Sequence, residues 1–219
     1  AAMRALLERE LAIFPRQEPA DKTPLAPFPA GRDTLLFYPH PAAGGAYCKG
    51  QFAAPSPGHP DYPAFLVASR IISEMLMDSI RTRSGLVYSV WASTPRREKA
   101  SSASIVLYRC RDIAPALKLT ARILAAVASG IGRLGDGKLK ADVPLAAVLP
   151  AAKNQLLTAL YMQQMTTAEQ VAGFASWLVL CGRGDAGERL AERILATTPD
   201  EIMSVVARYY RNFHWGLTR

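Results

Sequence analysis

The sequence predicts an α+β fold. Short apolar runs enriched in β-branched and aromatic residues lie at 34–39, 46–54, 86–93 and 102–110, with one more at 214–218. Longer runs with apolar residues at three- and four-residue steps fill 61–83, 112–130 and much of 144–209. Gly, Pro and Asp mark most of the joins between them. A chain of 219 residues, half of them apolar and a fifth charged, is long enough to bury a full core.

In chain order, Leu6, Leu7, Leu11 and Phe14 form a helical stripe between Arg4, Glu8, Arg9 and Glu10. Such a stripe needs a surface, and residues 1–14 are expected to be the last helix of a preceding unit. Pro15, Pro19, Pro24, Pro27 and Pro29, ending in Gly31, exclude helix and central strand and favour an extended linker. The expected division is therefore 1–31 as the end of a preceding unit plus linker, and 32–219 as one domain. The chain is then expected to begin partway through a longer protein. An arm that wraps its own domain is the plainer alternative for 1–31.

Thr34–Pro39 and Ala46–Ala54, joined through Gly44-Gly45, are expected to pair as a hairpin. Asp61 is placed to cap the first long helix, with Pro63 in its first turn. Phe65, Ala68, Ile72, Met75, Leu76 and Ile80 give that helix its apolar face. Leu86–Ser93 and Ser102–Cys110 are two strands around a basic loop, with Trp91 expected in the core. Asp112 opens a second long helix, buried through Leu117, Ala121, Leu124 and Val127 and ending near Gly130–Gly132. A loop follows at 134–137, then a helix over 144–165, bent or begun afresh at Pro150. Thr167–Gln170 fits a capping box, and Gly182–Gly184 ends the helix it opens. Residues 188–195 form a short helix. Thr198-Pro199-Asp200-Glu201 is a strong start signal for the last helix, and 214–218 is a terminal strand.

The most informative stretch is Ile80-Arg81-Thr82-Arg83-Ser84-Gly85-Leu86-Val87-Tyr88-Ser89-Val90, where helix gives way to strand at Ser84-Gly85. The reversal brings the Arg81 guanidinium and the Tyr88 phenol towards one concavity. Both groups suit gripping a peptide carbonyl or a developing oxyanion. On spacing alone the plainer alternative stays open. Arg81 would then only favour the helix dipole, and Tyr88 would be an ordinary strand residue.

Ser73-Glu74-Met75-Leu76-Met77-Asp78-Ser79-Ile80-Arg81, followed by Ser84-Gly85-Leu86-Val87-Tyr88-Ser89-Val90, resembles a signature of the insulinase-like (pitrilysin) zinc metallopeptidases. More narrowly, it is similar to that of the C-terminal, non-zinc half of their repeated domain. The resemblance implies a mixed, mainly antiparallel sheet of about five to six strands with several helices packed on one face. It implies substrate-binding roles for Arg81 and Tyr88, peptides or unfolded proteins as substrates, and zinc in a partner half. That half would be a domain of the same polypeptide or a separate subunit, in a soluble protein of the bacterial periplasm or cytoplasm. Lys153, in a helix like the family's Ala-Lys-x-x-Leu helix, is expected to face solvent without a role.

The chain itself lacks the catalytic metal motif. Two His flanking x-x-Glu on a helix would bind Zn²⁺ and activate water, but after His40, His59 and His214 come Pro-Ala-Ala-Gly, Pro-Asp-Tyr-Pro and Trp-Gly-Leu-Thr. Alone, the chain is expected to bind no catalytic zinc and to cleave nothing. Cys48, Cys110 and Cys181 are odd in number and widely spaced, so a thiolate zinc site or redox pair is not expected. A net charge of +8 makes the chain basic, but it shows no nucleic-acid recognition motif and no apolar run of the roughly 18 residues a membrane span needs. Two other readings remain at this level. One is a catalytically silent scaffold or assembly subunit of the same fold. The other is an unrelated basic binding module, in which Arg81 and Tyr88 would point apart.

Overall fold

The structure, a computed structural model, describes residues 9–13, 31–39, 45–94, 101–134 and 141–218. Most of the expected N-terminal helix and linker, the basic loop at 95–100 and most of the loop after Leu134 lie outside the described residues. Arg9 and Glu10 are helical and run into a 3₁₀ turn at Leu11–Ile13.

The order of elements is β1 (Thr34–Tyr38), β2 (Ala46–Ala53), α1 (Tyr62–Leu76), a π-helical turn (Met77–Arg83), β3 (Val87–Ser93), β4 (Ser102–Cys110), α2 (Ile113–Ala128), β5 (Ile131–Leu134), β6 (Ala141–Pro144), α3 (Leu145–Met162), α4 (Thr167–Cys181), α5 (Ala186–Ala196), α6 (Pro199–Tyr209) and β7 (His214–Thr218). The fold is α+β. Five strands form one sheet in the order β1-β7-β2-β4-β3, while β5 and β6 form a small separate hairpin. The main sheet is mixed, with β1 parallel to β7 and every other pair antiparallel.

The expected β1–β2 hairpin does not form. The terminal strand β7 lies between them, pairing Thr34 with His214 on one side and Tyr47 with Thr218 on the other. Neighbours in sequence usually pair, but a strand arriving later satisfies both backbone edges here. The second long helix ends just before Gly130–Gly132, as expected, and a short strand not expected from the sequence follows at once. α2 stops at Ala128, Gly130 takes a left-handed φ of 84°, and Ile131 begins β5.

Helices cover one face of the sheet. Phe65, Ala68, Ile72, Met75, Leu76 and Ile80 are all buried, as their spacing predicts. Phe52 of β2 meets the rings of Tyr210 and Phe213, each at 4.7 Å between centroids. The Tyr210 hydroxyl shares a 2.6 Å hydrogen bond with Ser69 Oγ, so its polar tip is satisfied inside the core. Gly50 lets Trp215 lie flat on β2, since a Cβ there would stand 2.6 Å from the indole.

Several local expectations shift. Asp61 does not cap α1 through its side chain; its carboxylate accepts from Arg208 Nη1 at 2.6 Å and from Tyr209 Oη at 2.9 Å. It ties the start of α1 to the end of α6 instead. α2 buries Ala116, Thr120, Ile123 and Val127, a face rotated by about one residue from the expected one. α3 runs unbroken through Pro150. The capping box of α4 is Thr166 with Glu169, one residue earlier than the spacing suggests. Lys153 has a structural partner, since its ammonium donates to the Leu195 carbonyl at the end of α5 over 2.6 Å. Trp91 is not core: it is 39% exposed, on the open side of the sheet.

Candidate functional site: an arginine–tyrosine face on the open side of the sheet

The helix that delivers Arg81 widens before it ends. From Met77 to Arg83 the backbone is π-helical, a form often found at functional sites. Hydroxyls reach back to carbonyls five residues earlier. Thr82 Oγ1 donates to Met77 O at 3.3 Å and Ser84 Oγ to Ser79 O at 2.7 Å. Gly85, at φ +59°, then reverses the chain, with its N–H on Arg81 O and the Leu86 N–H on Ile80 O.

This reversal brings the two expected residues together. The Arg81 guanidinium carbon lies 5.6 Å from the centre of the Tyr88 ring, a cation–π contact. At exposed sites such contacts are worth about 0.5–1 kcal/mol, enough to bias a long side chain without freezing it. Tyr88 is 63% exposed, so its phenol is available to a ligand.

Three residues that sequence reasoning did not single out complete the face. The Tyr108 ring lies 6.3 Å from Tyr88 and 4.9 Å from Tyr47, so the phenols cross β3, β4 and β2 in a row. Arg109 Nε makes a long, 3.5 Å hydrogen bond to the Tyr47 hydroxyl. That bond draws the Tyr47 phenol below its ordinary pKa and raises that of Arg109, with the Tyr108 and Tyr88 phenols adding to the latter. Arg109 stands at φ +50°, unusual for a residue with a Cβ. It sits in a bulge, because Tyr108 and Arg109 are both exposed between buried Leu107 and Cys110. The facing register slips between Ala46 and Cys48. A bulge of this kind re-aims side chains, and here it turns two successive ones outward. The adjacent Tyr108-Arg109, two long polar-tipped residues following an apolar run in one strand, was the available signal in the sequence.

Behind the face, the π turn is braced. Asp78 is 3% exposed; its carboxylate accepts from Arg83 Nε at 3.0 Å and Arg133 Nη1 at 3.1 Å. Arg133 also donates to Ser79 Oγ at 2.6 Å and Asp142 Oδ1 at 2.8 Å. The β5–β6 hairpin is thereby bolted to the segment that carries Arg81.

The residues present do not fit a catalytic zinc. Among the described residues no three His, Cys, Asp or Glu side chains converge. His59 Nδ1 accepts from the Asp61 N–H at 3.0 Å, and His214 Nδ1 shares a hydrogen bond with Thr34 Oγ1 at 3.0 Å. No helix among the described residues is long and apolar enough to cross a membrane.

The sheet thus carries helices on one side and, on the other, an arginine–tyrosine pair delivered by a helix-to-strand reversal. The chain belongs to the peptidase M16 inactive domain family, whose model matches residues 2–133. The same fold occurs in a protease from Helicobacter pylori, with a TM-score of 0.79 at 14% identity over 99% of this chain and 52% of that one. It also occurs in the periplasmic protease PqqL from Escherichia coli, with a TM-score of 0.71 at 15% identity over 99% of this chain and 24% of that one. The inactive peptidase domain of a putative zinc protease from Bordetella parapertussis has a TM-score of 0.63 at 15% identity, over 80% of this chain and 91% of that one. This chain spans about half the length of the Helicobacter pylori protease. No curated protein sequence matches it.

Proposed function

We propose that this chain is the substrate-holding half of an insulinase-like metallopeptidase, working with a zinc-bearing half in the same polypeptide or in a partner subunit. The observation that carries the reading is the Arg81 guanidinium stacked over an exposed Tyr88 on the open face of the sheet. An extended peptide laid on that face meets two donors. Arg81 grips a backbone carbonyl, and the Tyr88 hydroxyl donates to the carbonyl oxygen of the bond to be cut. Zinc chemistry belongs to the other half, since among the described residues no His, Cys, Asp and Glu side chains gather to hold a metal. The periplasmic Escherichia coli protease among the structural neighbours is consistent with a soluble bacterial peptidase.

The test is kinetic. In the assembled enzyme, Arg81→Ala and Tyr88→Phe should each lower peptide turnover by about 10²–10³, the usual effect of losing one such donor. Unchanged turnover in both variants rejects the assignment. Purification of a stable complex with no zinc-bearing member would point instead to a scaffold role.

A further inference from the structure

The face that holds Arg81 and Tyr88 has a consistent charge. None of the five strands of the main sheet contains an Asp or Glu. Its open side instead carries Lys49, exposed on β2 two residues beyond Tyr47, together with Arg109 and the adjoining Arg81. Several arginines elsewhere are paired with acids: Arg70 with Glu74, Arg183 and Arg189 with Asp185, and Arg208 with Asp61. On this face, Arg81 rests on a phenol ring and Arg109 reaches a phenol hydroxyl. Among the described residues neither has a carboxylate partner.

Resting on the substrate-holding role proposed above, we infer that this half selects extended segments rich in acidic and aromatic side chains. Carboxylates of the segment satisfy Lys49, Arg81 and Arg109, and its aromatic side chains stack on the tyrosine row. The Tyr88–Tyr108 ring-to-ring step of 6.3 Å comes close to the reach of alternate residues in an extended chain, about 6.6 Å, and the Tyr108–Tyr47 step of 4.9 Å is shorter. The contact is made with the face and not by adding a strand to β3. That edge is partly occupied, because the Ala92 N–H donates to Ser73 Oγ of α1 at 2.9 Å.

The experiment measures binding of labelled peptides to the full chain at low and at physiological salt. Three peptides of equal length are compared: one of Glu and Tyr, one of Lys and Tyr, and one of Glu and Ala. An exposed charge pair is worth about two- to fivefold, so three cations should favour the Glu/Tyr over the Lys/Tyr peptide by at least about tenfold. Arg109→Gln should lower that preference about two- to fivefold, whereas Arg122→Gln, on the helical side of the sheet, should leave it in place. The Glu/Ala peptide should bind more weakly than the Glu/Tyr peptide.

Equal binding of the Glu/Tyr and Lys/Tyr peptides, or an Arg122→Gln loss as large as that of Arg109→Gln, overturns the inference. The second result would mean that net charge alone sets the preference. Charge-blind binding that disappears in Arg81→Ala would sink this inference and leave the substrate-holding role standing. An acidic preference that survives Arg81→Ala undiminished would overturn both, because Arg81 is the residue that holds substrate and one of the three cations invoked. No binding of any peptide removes both.

Discussion

Replacing Arg133 by Met tests how the π turn is held. Arg133 is 18% exposed at its side chain and bridges a carboxylate that is 3% exposed. The variant keeps the stem volume but deletes the bonds to Asp78, Ser79 and Asp142. A charge-assisted hydrogen bond in such a setting is worth about 1.5–3 kcal/mol and a hydroxyl bond about 1 kcal/mol. The exposed Asp142 arm adds about 0.5 kcal/mol or less. Arg83 remains on Asp78, so the carboxylate is not orphaned and the loss stays below the roughly 3–5 kcal/mol of a bare buried charge. The expected destabilisation is about 2.5–3 kcal/mol, the lower end of that sum, because Arg83 still holds Asp78. For a domain of this size it should move the urea midpoint down by about 1 M, read by circular dichroism. Asp142→Ala, the exposed arm alone, should move it by about 0.2 M or less. A shift for Arg133→Met no larger than that of Asp142→Ala would show that the buried brace contributes nothing beyond a surface ion pair.

Three further outcomes are expected. Burial pushes the Cys48 thiol up to about 12 and raises Cys110 as well; at pH 8 only the half-buried Cys181 should react readily with a thiol reagent in the native chain, and all three in urea. Rapid native labelling of Cys48 would contradict that packing. Gly50→Ala would press a Cβ into the Trp215 ring and should cost about 1–3 kcal/mol in a denaturation titration; a neutral result would mean that the indole moves aside freely. Cys48 and Tyr210 both have folded pKa values above their ordinary 9.0 and 10.0, so the native state keeps protons that the unfolded state releases. Stability from these two groups is whole below about pH 9 and should fall as pH rises beyond it. Tyr210→Phe should flatten the part of the loss above about pH 10 while costing about 1 kcal/mol at neutral pH for the missing Ser69 bond. A loss above pH 10 as steep in that variant as in the parent chain would acquit Tyr210.

Local signals carried most of the fold into view. The caps at Asp112 and Thr198, the left-handed glycines at 85 and 182 and the apolar face of α1 are short-range effects that a sequence displays directly. Strand partnership is not short-range. Nothing near Thr34 or Ala46 shows that residues 214–218 will come between them. The site divides along the same line. Arg81 and Tyr88 were visible because one turn links them. Tyr47 and Tyr108 meet across strands, and the φ of Arg109 follows from a register slip that depends on two strands at once. The π turn was hidden for a similar reason. Its wide backbone is held by the Asp78–Arg133 bridge, whose ends stand 55 residues apart.

The placement of β7 also sets an order of assembly. As the chain is made, β1 has no neighbour to hold until residues 214–218 emerge, because among the described residues its partner strand is β7. Before that moment β2 can pair with β4 but has one edge bare. The tyrosine row, carried by β2, β4 and β3, can therefore assemble before β7 exists, and the sheet is completed only when β7 slots in between β1 and β2.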